Sequence, residues 1–490
     1  MCFDESDRAA QMADGDLRRL QRRTTDANGR RVLLIHFSFP PDGTVGSQIT
    51  AKFAKYLPQC GWEPHVLTAK ERYYTQIDPT TVRDVVRWDL VRRTAMIPHP
   101  RHAYLAVKAL FNGSYRAAGA AEAQHAAASA RSGLRRTLRS LLTTPDDVTG
   151  WIPPAVMAGL RLIKRHQIGC LFSSGPPWTN HLVAYVLRRV TGLPWAACFE
   201  DPWSQVKATL GSEDSSPLSL RLEARLERAV VARADAVICL NDHHRHAMVA
   251  QFGGLPADKF VTIPNGYDPD EFRDIDDSAS VPPRDQFVVT YVGSIYFTRT
   301  PRQVFMAVRQ LIDSGGLSPD RFRMQFIGNC AEAEGQSIRA LAAECGVAEL
   351  LHLRPLVPRD EAIRAMQQAH ILLVLAHDWV VQIPAKVYHY ARVGRPILAL
   401  APEGATADFI RQSGAGTVVD PQDVEGIARA LGHYYGRFTS GRPLVGANTD
   451  FLRRFDRRRL TADLSDLLHH LTPAGRMPVP TTATSSALEQ

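Results

Sequence analysis

The chain lacks the marks of a membrane-spanning protein, a disulfide framework or a zinc site. It has no run of about 18 uninterrupted apolar residues, the length a transmembrane helix needs. Its seven cysteines, at positions 2, 60, 170, 198, 239, 330 and 345, include no Cys-x-x-Cys pair and no tight cluster with histidine, which fits a reducing compartment. Residues 1–29 mix aspartate and arginine with few large apolar side chains, unlike the apolar core of a signal peptide. No zinc finger or RNA-binding motif accompanies the net charge of +8, which is spread along the chain, so nucleic acid is not an expected partner. The expected location is cytoplasmic, with the inner face of the plasma membrane left open.

What is present is a long rhythm of buried strands and amphipathic helices. At 490 residues the chain exceeds what one core usually holds, and two domains are expected. Val32-Leu33-Leu34-Ile35 is a continuous apolar run of the kind found in parallel sheets. Ile49, Phe53, Tyr56 and Leu57 then recur at helical spacing, and His65 to Thr68 reads as a second strand. The rhythm returns at 169–173, 195–199, 236–240 and 260–263, and a second series follows at 287–292, 323–327, 351–353, 371–375, 396–400 and 417–419. Such alternation predicts α/β architecture with doubly wound parallel sheets. The expected division is a disordered tail over 1–30, a Rossmann-like domain over 31–272, a linker over 273–286, a second Rossmann-like domain over 287–435, a helical segment over 436–471 and a disordered tail over 472–490.

In an open α/β sheet, ligands collect at the carboxyl ends of strands, where free amides and the positive end of a helix dipole attract anions. The segment from Gln382 to Leu400 has that form, with Pro384 suited to a first helical turn, Gly394 to its end, and Lys386 one turn in. The loop Phe39-Pro40-Pro41-Asp42-Gly43-Thr44-Val45-Gly46-Ser47 follows the first strand and is not the dinucleotide fingerprint Gly-x-Gly-x-x-Gly. Gly46 in it lets backbone approach a diphosphate, or simply makes a turn. Ser173 to His181 and Phe199 to Ser204 also lie at carboxyl ends of strands. A carboxylate at Asp201 or Glu200 suits deprotonation of a hydroxyl, though an N-cap is an equal reading of Asp201, and His181 reads as well as a structural hydrogen-bonder.

The 382–400 segment resembles the nucleotide-sugar motif of retaining glycosyltransferases of family 4. The segments around Ser173 and Asp201 resemble a bacterial cell-envelope subgroup with a glycosyltransferase-4-like N-terminal domain. The resemblance implies the GT-B fold, two Rossmann-like doubly wound parallel-sheet domains facing a central cleft. It implies retaining, metal-independent transfer of a sugar from a nucleotide diphosphate sugar, with UDP and GDP both open, to a saccharide or lipid-linked acceptor. No cofactor is implied. Catalytic candidates are Asp201, Glu200 and His181. Donor-binding candidates are Gly46, Gly293, Ser294, Arg299, Arg302, Gly328, Lys386 and His389; for either arginine a solvated helix start is the alternative. Asn265-Gly266 resembles the family's interdomain hinge.

The chain departs from the family at Val381 and His389, where two glutamates usually stand; His389 still offers a hydrogen bond to a ribose hydroxyl, and Asp378 is a carboxylate near the first position. A non-catalytic nucleotide-sugar-binding protein and a nucleotide-sugar epimerase are therefore the rival readings. The basic, alanine-rich stretch 101–142 places Leu134, Leu138, Leu141 and Leu142 on one helical face, which fits peripheral membrane contact or packing on its own domain.

Overall fold

The computed structural model describes residues 30–97, 140, 144–205, 216–273, 282–296, 298–377 and 380–472. Two parallel sheets carry the fold. The first contains β1 (Arg30–Ile35), β2 (Trp62–Ala69), β3 (Val91–Thr94), β4 (Cys170–Gly175), β5 (Trp195–Phe199), β6 (Ala236–Cys239) and β7 (Phe260–Thr262), in the order β3-β2-β1-β4-β5-β6-β7. The second contains β8 (Phe287–Val292), β9 (Phe322–Ile327), β12 (Leu351–Arg354), β13 (Ile371–Leu375), β14 (Ile397–Leu400) and β15 (Gly416–Val419), in the order β12-β9-β8-β13-β14-β15. A two-stranded hairpin, β10 (Glu332–Ala333) with β11 (Gln336–Ser337), stands apart from both. In each sheet the order reverses beside the first strand, at β1/β4 and at β8/β13, and such switch points open crevices at the carboxyl ends of strands.

The strands are apolar on both faces because helices cover both. Successive side chains of β1 point to opposite sides. Leu33 and Ile35 pack with helices α2 (Ile152–His166) and α3 (Thr179–Thr191), while Val32 and Leu34 pack beneath α1 (Val45–Tyr56). Helices α4 (Pro217–Arg233) and α5 (Asp242–Gln251) complete the first lobe. In the second lobe Val289 and Tyr291 face α6 (Arg302–Asp313), and Leu372 and Val374 face α9 (Lys386–Val393). Helices α7 (Ile338–Glu344), α8 (Arg359–Gln367), α10 (Ala405–Ser413) and α11 (Val424–Thr439) complete it.

The chain crosses between the lobes twice. After the short α12 (Thr449–Leu452), α13 (Arg457–Leu471) returns to the first lobe and buries Leu460, Leu464 and Leu468 against the side of β1 that carries Val32 and Leu34. Burial of each is worth roughly 1.5–3 kcal/mol, enough to hold the helix there. The outgoing and returning strands of this hinge are bonded to each other, Tyr267 N–H to the Phe455 carbonyl at 3.1 Å and Arg457 N–H to the Tyr267 carbonyl at 3.0 Å. Gly266 is required at the crossing, since a Cβ there would collide with the Phe455 carbonyl.

The strand β3 and helix α2 are absent from the sequence reading. Val91-Arg92-Arg93-Thr94 is an edge strand with only Thr94 buried, so it carries little apolar signal. The 101–142 stretch apart from Ser140, with all four of its leucines at 134, 138, 141 and 142, the 1–29 and 473–490 tails, most of the linker (274–281) and Asp378 lie outside the described residues.

Candidate functional site

The second lobe presents a buried lysine amine that has no hydrogen-bond partner among the described residues. Lys386 opens α9, whose N-cap residue Ala385 supplies no side-chain cap. Its stem crosses the Tyr291 ring, with Nζ 3.7 Å from the ring centre, and the buried Nζ has no hydrogen-bond partner among the described residues. Burial, with the Arg299 charge adding to it, holds the amine well below its usual pKa. Space for Nζ exists because Gly293 ends β8 without a side chain: a Cβ there would stand 2.7 Å from Nζ, and the Gly293 φ of +130° already favours glycine. Gly328, at the end of β9 with φ +121°, is held to glycine by the adjacent Gly293 carbonyl. The Ser294 carbonyl accepts from Tyr291 Oη at 2.7 Å, which ties this turn to the ring under Lys386.

Arg299 is 7% exposed, stacks its guanidinium 4.2 Å from the Tyr296 ring centre, and leaves Nε unbonded. The Lys386 amine and the Arg299 guanidinium thus share one strand-end crevice, where burial and the Arg299 charge both disfavour the charged form of the amine.

The facing lobe supplies carboxylates. Asp201, just after β5, accepts a hydrogen bond from Gln382 Nε2 across the cleft. Burial raises its pKa to about 6, opposed by the Arg299 charge and the Gln382 bond. Glu200 accepts from Ser174 Oγ at 2.7 Å and is pushed up to about 8, mainly by burial and also by Asp201. Gly46, in the first turn of α1, closes this wall: Glu200 Oε2 lies 3.7 Å from where its Cβ would stand. The loop carrying Gln382 is pinned from both sides. Asn241 Nδ2 donates to the Val381 carbonyl at 2.9 Å, and Thr406 Oγ1 to the Gln382 carbonyl at 2.8 Å.

The structure therefore brings Gly46, Glu200, Asp201, Gly293, Arg299, Gly328 and Lys386 to one interlobe cleft. Three expectations need correction. His181 is fully buried inside the first lobe, stacked 4.6 Å from Phe199 and bonded through Nδ1 to Ser173 Oγ at 2.8 Å. Burial lowers its pKa to about 3, so it stays neutral, away from the cleft wall. Arg302 points elsewhere, ion-paired to Glu334 at 2.7 Å and Glu344 at 3.1 Å. His389 offers Nε2 to Glu271 at 3.1 Å, not to the cleft, and Nδ1 lies 3.4 Å from its own helix's Ala385 carbonyl.

Glu271 belongs to a second charge cluster, at the hinge, that sequence reasoning missed. Asp84, Asp268 and Glu271 converge closely enough to hold a metal ion. The Lys52 ammonium sits among them instead, 2.6 to 2.7 Å from each. Lys55 pairs with Asp84, Asp268 and Asp270, and Arg359 from the second lobe pairs with Glu271. Lys52 and Lys55 stand three apart on α1, so one helix face delivers both. Their pairing partners lie more than 25 residues away, and no local pattern announces them. His36, one residue beyond β1, and Gln382 were also unassigned.

Two Rossmann-like lobes closing on a cationic strand-end crevice define the GT-B class of fold. Residues 116–271 match the family described as Glycosyltransferase Family 4. Sequence relatives include the D-inositol 3-phosphate glycosyltransferases of Streptomyces scabiei, 23% identical over 268 residues (52% of this chain and 58% of the relative), and of Acidothermus cellulolyticus, 26% identical over 213 residues (42% and 47%). The chain spans about half the length of these curated relatives. Similar solved structures include sucrose-phosphate synthase of Thermosynechococcus elongatus, with TM-score 0.61, 14% identity and coverage of 90% of this chain and 99% of that one. Anabaena HepE in complex with UDP and glucose follows, with TM-score 0.57, 13% identity and coverage of 90% and 100%. The chain has GT-B architecture and resembles Glycosyltransferase Family 4 over residues 116–271. Among the described residues no helix is long and apolar enough to cross a membrane.

Proposed function

We propose that this chain transfers a sugar from a nucleotide diphosphate sugar to an acceptor hydroxyl, with retention and without a metal ion, in the assembly of a cell-envelope polysaccharide or glycolipid. The observation that carries the reading is the unpartnered Lys386 ammonium beside Arg299 at the ends of β8 and β9. A diphosphate placed there neutralises both cations and accepts the hydrogen bonds they lack, and as the sugar's bond to it breaks the same groups stabilise the charge that develops. Asp201 and Glu200 approach from the other lobe, on the side where an acceptor would enter. With retention, the acceptor oxygen attacks the face that the diphosphate leaves, and the departing phosphate oxygen takes the acceptor's proton.

Support for a uridine nucleotide comes from the HepE complex, whose fold is shared; support for a cyclitol or sugar acceptor comes from the names of the sequence relatives. A thermal-shift series with UDP, GDP and their glucose and mannose conjugates tests the donor, since a ligand that binds only the folded form raises its melting temperature. A clear rise with one nucleotide, followed by release of that nucleotide from its sugar conjugate on adding acceptor, is the expected result. The absence of any rise would remove the reading.

One observation favours a non-catalytic binding protein. His389 is tied to Glu271, and the Val381 position offers only a backbone carbonyl that Asn241 already occupies. Nucleotide binding with neither hydrolysis nor transfer separates that reading from the first.

A further inference from the structure

The loop that leads from β13 into α9 forms neither helix nor strand over 380–384, and three successive carbonyls anchor it. The Val380 carbonyl accepts from the Ala405 N–H at 2.7 Å, and the Gln382 carbonyl from Thr406 Oγ1 at 2.8 Å, both at the start of α10 in the same lobe. The middle carbonyl, that of Val381, is bonded from the other lobe, by Asn241 Nδ2 at 2.9 Å. Beyond these anchors Pro384 carries no N–H and Ala385 gives α9 no side-chain cap. Lys386, the first residue of α9, therefore takes its place from bonds made outside its own helix.

Asn241 is itself fixed. It is the N-cap of α5, with Oδ1 accepting from the His244 N–H at 2.9 Å. One side-chain amide thus serves two lobes, its oxygen on its own helix and its nitrogen on the facing loop. Two residues on, His243 Nε2 donates to Asp408 Oδ2 at 2.7 Å, which joins the first turn of α5 to the first turn of α10. The positive ends of two helix dipoles repel when they are brought together, and Asp242 and Asp408 in those turns offset the repulsion.

We propose that Asn241 is a positioning residue for the donor site: from the first lobe it holds the loop ahead of α9 and so sets Lys386 Nζ beside Arg299, while His243 and Asp408 keep the two helix ends in register. The Asn241 bond to Val381 exists only while the lobes are together at this point. By linkage, a diphosphate that binds Lys386 strengthens that contact, and loss of the contact weakens the diphosphate. The inference rests on the donor assignment above and adds a residue that never touches the donor.

The test uses the full chain with UDP as the probe. Asn241→Asp keeps the α5 cap, since a carboxylate accepts from the His244 N–H as the amide oxygen does, but it removes the donor to Val381. UDP should bind about tenfold more weakly, the equivalent of one hydrogen bond, while the melting temperature of the empty protein holds. In a Lys386→Met background the same replacement should cost nothing further, because Asn241 acts through the amine; additive losses in the two backgrounds would overturn the proposal. Hydrogen exchange supplies a readout that needs no ligand: amides of 380–386 should exchange about threefold or more faster in Asn241→Asp, with β8 and β9 as protected as before. Unchanged exchange in the loop, or unchanged UDP affinity, would also overturn it. Asn241→Ser, which caps but does not reach Val381, should behave alike and takes the place of the aspartate variant if that one fails to fold. A lack of any shift with UDP in the unaltered chain marks failure of the donor assignment instead, and the exchange measurement then decides on its own whether Asn241 holds the loop.

Discussion

Lys386→Met is the sharpest perturbation of the donor site, because it should move two quantities in opposite senses. Methionine keeps an apolar stem over Tyr291 and removes only the charge. In the empty protein that charge is a burden: Nζ is buried, has no hydrogen-bond partner among the described residues, and shares its crevice with Arg299. Its removal should leave the melting temperature unchanged or higher. With a diphosphate bound, the same ammonium makes a charge-assisted hydrogen bond, worth about 1.5–3 kcal/mol. At about 1.4 kcal/mol per factor of ten, its loss corresponds to roughly 10- to 100-fold weaker UDP binding.

The pH dependence gives an independent check. Burial lowers the Lys386 pKa in the empty folded protein, whereas the unfolded chain keeps the ordinary value of about 10.4. Between the lowered value and that one the unfolded state binds more protons, so stability rises with pH across the window, and Lys386→Met should remove this slope. Diphosphate binding pulls the amine back towards its charged form. UDP affinity should therefore fall as pH rises through the same window, with proton uptake seen as a dependence of calorimetric heat on buffer ionisation enthalpy. If the methionine variant lowered the melting temperature by several degrees while binding UDP normally, the ammonium would be structural and the reasoning refuted.

Three further outcomes follow from the other clusters. Glu271→Gln leaves Lys52, Arg359 and His389 facing a neutral amide in a buried network, and denaturant unfolding should show a loss of about 3–5 kcal/mol, the usual cost of breaking a buried ion pair. Asp201→Asn should cut turnover with little change in nucleotide affinity, because the ionised carboxylate accepts a hydrogen bond from the acceptor hydroxyl and orients it while the phosphate takes the proton; in the unaltered chain the rate should rise through about pH 6 as this carboxyl ionises and change again near pH 8 with Glu200, and the lower limb should vanish in the variant. Arg302→Ala removes only partly exposed ion pairs, so equilibrium unfolding should shift by no more than about 1 kcal/mol, and titration with UDP should give an unchanged affinity.

What the sequence makes legible is what depends on local pattern. Phe287–Val292 and Ile371–Leu375 are apolar runs whose ends coincide with the observed strands, because helices bury both faces and little polar signal intervenes. Lys386 and Gly293 are legible for a related reason, since a proline-led helix start and a glycine after a strand are local statements about backbone. Glu271 and Asn241 are not. Glu271 acquires its role only when α1, α8 and α9 meet around it, and Asn241 only when the start of α5 meets the loop before α9 across the cleft. Arg302 shows that adjacency to a strand end does not fix direction: as the first residue of α6 it reaches Glu334 and Glu344, whereas Arg299 stays in the loop before the helix, at the cleft.

The two buried charge clusters divide the labour of the fold by how they are neutralised. At the hinge, Lys52, Lys55 and Arg359 are met by Asp84, Asp268, Asp270 and Glu271, so each charge is answered within the chain. Because these partners come from both lobes and from the crossing segment, the cluster resists separation of the lobes at the pivot. In the cleft Lys386 Nζ and Arg299 Nε are buried without hydrogen-bond partners among the described residues, and burial pushes Lys386, Glu200 and Asp201 towards their neutral forms. A compensated cluster gains nothing from a ligand, whereas an uncompensated one gains the full electrostatic benefit when a diphosphate arrives. His389, one turn beyond Lys386 on α9 and bonded to Glu271, joins the two.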